Sequence, residues 1–588
     1  MNLETKASIS PKLEIETQDE NFEIKLKLID EVNHIFTYSL NIHSEKEEVP
    51  NTITVKWKIP AINIKGVWKP GAIYNKRLQY DWELNHLESR VSVDAPIINV
   101  FGFADENVIT LACSDAVNMI EMNTLLREED NHIYCHITFF KERFQAIKNY
   151  EAQIRIDLSN ITYSKAIENV SSWWELFDNL KPSPVPDLAR VPLYSTWYQF
   201  HQELDESVLI EECTLAVDLG YKLIILDDGW QTLDINRGYD YTGDWEPDRF
   251  PNLKGMVKKI HDTGMKFGLW FSVPFCGVKS KAYQKFKGKF LTENHRWAPV
   301  FDPRYPEVRD HLIQTYCNAL INYDLDAFKL DFIDDFKVYP ETDLTNEDGR
   351  DYANVNEAVD RLMTDVMNSL WQIKPNIAIE FRQQYIGPAM RKFGNMFRAF
   401  DCPNDPVTNR IRTTDIKMLA ANTAVHSDML TWHSDEKVEI SALQVLNAIF
   451  SVPQMSVHLR NLSKEHTNML RFYTDYWIQN KSLLLDGEFL PASPLSNYPT
   501  IKVSNKSKSI IAVYEESIIK MGDHTETDIL NAKRTSGLVL RNKLESQNYT
   551  ITIWDCQGQL ISENTKILTS GVNEIQVPIS GLCRIQKN

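Results

Sequence analysis

The stretch Ala327-Phe328-Lys329-Leu330-Asp331-Phe332 decides how the chain is read. Side chains alternate along a strand, so Ala327, Lys329 and Asp331 share one face while Phe328, Leu330 and Phe332 share the other. The greasy face suits packing beneath helices. The charged face needs a polar setting, because unpaired charges are costly to bury and are usually functional or mutually paired. A purely structural Lys–Asp pair is the plainer alternative. Helix-like stretches lie on both sides, at 308–323 and 354–372, so this segment reads as one strand of a strand–helix alternation.

The alternation continues outward. Strands are expected at 191–199, 222–228, 266–273, 326–333, 376–382, 395–401, 424–430 and 454–459, with further helices at 207–219, 253–263, 413–423 and 440–450. Eight strands with helical crossovers predict a (β/α)8 TIM-type barrel, with a doubly wound open sheet as the alternative. Pro182-Ser-Pro-Val-Pro186 interrupts the chain ahead of it and marks a domain boundary. Before the prolines, runs such as 22–28, 52–57, 133–140 and 152–158 alternate with period two and predict an N-terminal β-sandwich without long amphipathic helices. Alternation returns at 510–514, 537–541 and 549–554, predicting an all-β C-terminal domain. The expected organisation is therefore a sandwich over 1–180, a barrel over 187–484 and a β-domain over 485–588.

Composition sets outer limits. The 588 residues are 43 % hydrophobic and 24 % charged, which suits a globular protein with a large core. The 81 acidic and 63 basic residues give a net charge of −18, which disfavours nucleic acid as a partner. No run of about 18 uncharged apolar residues is present, so no membrane partner is expected. The first residues lack the apolar block of an export signal, and the eight cysteines contain no Cys-x-x-Cys pair, so a reducing, cytoplasmic location is expected. A homo-oligomer is compatible with this sequence.

In a barrel of this kind the active site is built at the C-terminal strand ends, which focuses the search on residues closing each strand. The second strand closes in Asp227-Asp228-Gly229-Trp230, although Asp and Gly are also ordinary turn residues. The fourth carries Lys329 and Asp331. The fifth puts Glu380 and Arg382 on one face. The sixth ends in Arg398 and Asp401, which parity places on opposite faces unless Asp401 has left the strand, as Pro403 soon afterwards suggests. An ordinary Arg–Asp surface pair is the rival reading there. Trp197, Trp230 and Trp270 stand at or near the ends of the first three strands. Indole faces beside carboxylates suit a sugar, whose C–H faces stack on rings while its hydroxyls need charged partners; core packing is the simpler use of any one of them. Asp331, Asp334 and Asp335 offer oxygen ligands for Mg²⁺, against which Lys329 argues. His426 and Asp428 close the seventh strand. No phosphate-cradling glycine loop, His-Glu-x-x-His or Gly-x-Ser-x-Gly motif occurs.

These residues resemble the clan of retaining α-galactosidases, and most closely glycoside hydrolase family 36. The carriers are Leu226-Asp-Asp-Gly-Trp-Gln231, Gly243-Asp-Trp-Glu-Pro-Asp-Arg-Phe-Pro-Asn252, Gly264-Met-Lys-Phe-Gly-Leu-Trp270 and Lys329-Leu-Asp331. The resemblance implies the order sandwich, barrel, β-domain. It implies that Asp331 is the nucleophile, that Asp227 and Asp228 hold sugar hydroxyls, that Lys329 and Trp270 line the same subsite, and that Asp401 is the acid/base. Glu380 resembles a sugar-contacting carboxylate of the related family 27. Typical family members carry a Cys-x-Gly-Gly-Gly-like stretch after the fifth strand, where this chain reads Glu380-Phe-Arg-Gln-Gln-Tyr-Ile-Gly387. Galactose, N-acetylgalactosamine and a related pyranose therefore stay open. So do hydrolysis, raffinose-synthase-like transfer to a sugar acceptor, and sugar binding without catalysis. The implied double displacement needs an ionised Asp331, for which Lys329 is the expected stabiliser, and an Asp401 that holds a proton near neutral pH. It needs no metal or organic cofactor, and its partner is an oligosaccharide or glycoside.

Overall fold

The computed structural model describes residues 10–71, 75–83, 86–542 and 545–588. The strands Leu193–Ser195, Leu223–Leu226, Lys266–Ser272, Ala327–Asp331, Ala378–Arg382, Met396–Arg398, Ala424–His426 and Gln454–Met455 form one parallel eight-stranded sheet. They are called barrel strands one to eight below. Strand eight pairs with strand one, and the bridges His426–Val452 and Leu430–Met455 link the seventh-strand segment to the eighth. The sheet therefore closes into the expected barrel rather than the open alternative.

Most strands are shorter than expected because the chain leaves the sheet where the functional residues begin. Strand one stops at Ser195 and gives way to a short helix, Trp197–Phe200. Strand four ends at Asp331, after which Phe332 takes a left-handed φ of +66° and starts a 3-10 turn, Ile333–Asp335. The helix expected at 413–423 is Pro406–Ala420, which begins earlier because Asp405 accepts from the Thr408 N–H and Pro406 occupies the first turn, where its missing N–H costs nothing. The 23-residue helix Lys464–Asp486 follows the barrel, beyond the helices that the sequence pattern predicts.

The N-terminal residues form sheets of five and six strands around a core that includes Phe36, Leu40, Val55, Ile98, Leu111 and Ile137. The expectation that this region lacks a long helix is corrected by Tyr163–Trp174, whose Tyr163, Ile167, Val170 and Trp174 repeat with helical spacing and pack against the barrel core. The C-terminal residues form sheets of seven and three strands around Ile511, Ile529, Leu540 and Ile585. Asp415 on a barrel helix ties the regions together. It accepts from Trp68 Nε1 at 2.9 Å, pairs with Lys76 Nζ at 3.0 Å and accepts from the Tyr498 hydroxyl. Removing a buried partner of this kind costs about 3–5 kcal/mol. Asp415→Ala is therefore expected to lower the midpoint of urea unfolding, and an unmoved midpoint would deny the carboxylate that joining role.

Candidate active site

The polar strand ends converge on a cleft of about 290 Å³. Asp331 is its most heavily engaged group. Its Oδ2 accepts from Trp270 Nε1 at 2.9 Å, and its Oδ1 accepts from Arg382 Nε and the Phe332 N–H, both at 2.8 Å, and from the Tyr385 hydroxyl. Burial alone would raise this carboxyl, but the charges of Arg382 and Lys329, with the bonds from Tyr385 and Trp270, hold it well below the usual carboxylate range. Asp331 is therefore an ionised carboxylate with both oxygens fixed.

Strand register explains the clustering. Trp270 lies opposite Lys329, Lys329 opposite Glu380, and Arg382 opposite Arg398. Lys329 is expected from sequence to steady Asp331, yet its direct ion pair is with Asp227, Nζ to Oδ2 at 2.6 Å. Arg382 takes the direct position at Asp331 because it stands one layer nearer the mouth than Glu380. Asp228 accepts from Gln231 Nε2 and Gln202 Nε2, each at 2.7 Å, and burial together with neighbouring Asp227 pushes its carboxyl up to about 6. Gly229 follows with φ +113°, and a Cβ there would stand 2.8 Å from the Gln202 Cα, so the turn that lets Gln202 reach Asp228 requires glycine.

Asp401 has left its strand, as expected, and lines the same cleft with its side chain 38 % exposed. Arg398 Nη2 donates to its Oδ1 at 2.9 Å. The expectation that Asp401 holds a proton near neutral pH is not met in the free protein. Burial pushes it up, but the attraction of Arg398, then Lys329 and Arg382, wins and lowers it, while the negative charge of Asp331 opposes them.

Of the sugar-contacting residues expected from sequence, Trp197, Asp227, Asp228, Trp270 and Lys329 line the cleft with Asp331 and Asp401. Trp230, Glu380 and Arg398 do not. Trp230 is 0 % exposed, donates to the Trp270 carbonyl at 2.9 Å and stacks on Trp245, so it supports the wall. Glu380 lies deep in the barrel, accepting from Gln454 Nε2 with Arg398 Nε 3.4 Å away, and burial raises its carboxyl. Arg398 is 1 % exposed and acts through the carboxylates it joins. Tyr239, Arg296, Trp297, Phe332, Asp334 and Phe400 also line the cleft. Sequence reading missed most of them because they sit on loops, where no periodicity points a side chain inward. Trp297 lies in the loop between the paired strands Phe290–Thr292 and Val300–Phe301, and its ring meets Tyr239 edge-on. His426 is buried and bonds the Ala189 carbonyl at 2.8 Å, away from the cleft. Asp331, Asp334 and Asp335 all line the cleft, but Asp331 pairs with Arg382 Nε at 2.8 Å and Asp335 stands 3.3 Å from His295 Nε2. Among the described residues no cluster of three or more His, Cys, Asp or Glu is arranged to hold a metal ion.

Residues 175–382 match the Melibiase family model. A 169-residue segment is 31 % identical to alpha-galactosidase 2 of Pediococcus pentosaceus, covering 27 % of this chain and 23 % of that protein. A shorter one of 87 residues is 36 % identical to alpha-galactosidase mel1 of Schizosaccharomyces pombe, covering 13 % and 19 %. The matched segments span about a quarter of the length of the first curated relatives. The fold likeness extends further. The GH36 alpha-galactosidase AgaA of Geobacillus stearothermophilus superposes with a TM-score of 0.65 at 16 % identity over 97 % of this chain and 82 % of that one. The alpha-galactosidase of Lactobacillus brevis gives 0.64 at 13 % identity over 99 % and 86 %. The chain thus shares the multidomain fold of these GH36 alpha-galactosidases, and the first part of its barrel has Melibiase-like sequence.

Proposed function

We propose that the protein is a retaining exo-α-galactosidase that removes terminal α-linked galactose from small oligosaccharides. The observation that carries this is the meeting of Asp331 and Asp401 in one cleft, the first with both oxygens fixed by donors and the second open to the mouth beside Phe400. The relatives named above as α-galactosidases, and AgaA variants crystallised with raffinose and with stachyose, support the substrate class.

In the mechanism, Asp331 attacks the anomeric carbon and forms a glycosyl ester while Asp401 protonates the departing oxygen. A sugar filling the cleft removes water from Asp401, which favours its protonated form. The charge of Asp331 acts in the same direction until that carboxylate becomes an ester. Its charge is then gone, Arg398, Lys329 and Arg382 act on Asp401 without that opposition, and Asp401 becomes the base that activates water. Asp227, held by Lys329, and Asp228, held by two glutamines, offer acceptors for sugar hydroxyls, and Trp197, Tyr239 and Trp270 supply apolar rings. The eight cysteines are all unpaired and seven of them are buried, which supports a reducing, cytoplasmic setting.

Turnover on a panel of aryl α-glycosides tests the reading. The α-galactoside is expected to be cleaved fastest and with indifference to EDTA. Binding without release by the intact protein would instead make it a sugar-binding module, and loss of activity in EDTA would favour metal-assisted chemistry.

The electrostatics add a pH prediction. Asp331 works ionised, and Arg382 is the leading influence that lowers it. Arg382→Met removes that influence, so the Asp331 pKa rises and the acid limb of kcat/KM moves to higher pH by about one unit or more. An acid limb that stays in place would show that another group sets it.

A further inference from the structure

Three carboxylates surround one buried guanidinium behind the cleft. Arg398 donates through Nη2 to Asp401 at 2.9 Å and through Nη1 to Asp428 Oδ1, and its Nε stands 3.4 Å from Glu380. Asp428 is 0 % exposed and cannot reach a sugar. All of its side-chain bonds come from donors: Arg398 on Oδ1, and on Oδ2 the Tyr198 hydroxyl at 2.7 Å and the Cys402 N–H at 2.6 Å. Its backbone N–H donates to Asn409 Oδ1 and its carbonyl accepts from Asn409 Nδ2, each at 3.0 Å, so its position is fixed. The Cys402 contact also anchors the loop that carries Asp401, immediately next to it in sequence.

We propose that Asp428 is a positioning residue that competes with Asp401 for the Arg398 guanidinium and thereby sets the pH range over which Asp401 works as the acid. Burial and the charge of Asp401 raise the Asp428 carboxyl, against the pull of Arg398 and of the donors on its oxygens. To the extent that Asp428 is charged, part of the Arg398 attraction is spent on it and its own charge disfavours a second anion at Asp401. The other charged or titratable groups facing this assembly are Glu380 on strand five, Tyr198 after strand one, Cys402 beside Asp401, Lys329 and Asp331 on strand four, Arg382 on strand five, His201, whose ring is influenced by Asp401, and Arg412, which donates to the Asp401 carbonyl at 2.9 Å. None of them shares the Arg398 guanidinium as closely as Asp428 and Asp401 do.

The inference rests on the glycosidase reading of Asp401. Its test is the pH profile of kcat, which reports the sugar-bound enzyme, for Asp428→Asn, measured on one aryl α-galactoside with a poor leaving group and one with a good leaving group. Without the Asp428 charge, Arg398 and its neighbours hold Asp401 lower, so the protonated acid is lost earlier. The basic limb for the poor leaving group is expected to move toward acid by roughly one pH unit. The good leaving group needs little proton donation and should show no comparable movement. Tyr198→Phe removes one donor from Asp428 and keeps the carboxylate. It should weaken the charged form of Asp428 and move the same limb in the same direction by less, so a poorly folded Asp428→Asn would not leave the matter open. A basic limb unmoved in both variants, with rates lowered equally for both substrates, would overturn the inference and make Asp428 a structural anchor. A wild-type basic limb that is the same for both leaving groups would instead count against Asp401 as the acid.

Discussion

Asp331→Ala is expected to abolish turnover, with a loss on the order of the 10⁶-fold seen when a nucleophile is removed from a preorganised site. The size follows from how completely the structure is built around that carboxylate. Trp270, Arg382, Tyr385 and the Phe332 N–H all donate to it, and none of them can form the glycosyl ester in its place. Alanine also leaves a space where the carboxylate stood, next to the charge of Arg382. Azide is expected to enter it and restore turnover of an α-galactoside with a good leaving group, attacking from the nucleophile's side to give the inverted β-azide. Recovery of the α-azide would place the missing nucleophile elsewhere.

Asp401→Ala is expected to show a different pattern. A general acid contributes about 10²–10⁴-fold, and that contribution scales with how much the leaving group needs a proton. The variant should lose most activity on substrates with basic leaving groups and far less on dinitrophenyl-type substrates, for which breakdown of the ester becomes limiting. Azide should then accelerate that second step and yield the retained α-azide. Equal losses across all leaving groups would remove Asp401 from the acid role. The same variant frees Arg398 for Asp428 and Glu380, which remain its buried partners, so the barrel interior should keep its charge balance and the fold should survive.

The parts of this site legible in the sequence are those fixed by strand parity. Lys329 and Asp331 had to share a face, and so did Glu380 and Arg382, because the period of a strand is two. Asp227 and Asp228 were legible because they follow four consecutive apolar residues, Leu223-Ile-Ile-Leu226, that suit a buried parallel strand. Depth along the barrel axis was not legible. Glu380 and Arg382 stand on one face, yet one is buried among Gln454 and Arg398 while the other reaches Asp331, a difference that depends on where each strand enters the sheet. The same limit explains Trp230: a tryptophan at a strand end and a tryptophan behind the wall have the same local sequence, and only the position of the Trp270 carbonyl tells them apart. Partner choice was also hidden, since Lys329 sits two residues from Asp331 but pairs with Asp227 from another strand. The Tyr163–Trp174 helix is hard to separate in the sequence because it follows directly on a long run of alternating strands.

The stereochemistry of the first product tests the central claim most directly. Proton NMR during cleavage of an aryl α-galactoside reads the anomer released before mutarotation. Attack by Asp331 followed by water activated through Asp401 inverts the anomeric centre twice, so α-galactose should appear first, as expected when the two carboxyl groups are about 5–5.5 Å apart. Initial release of β-galactose would contradict it, because a single displacement by water needs no covalent role for Asp331.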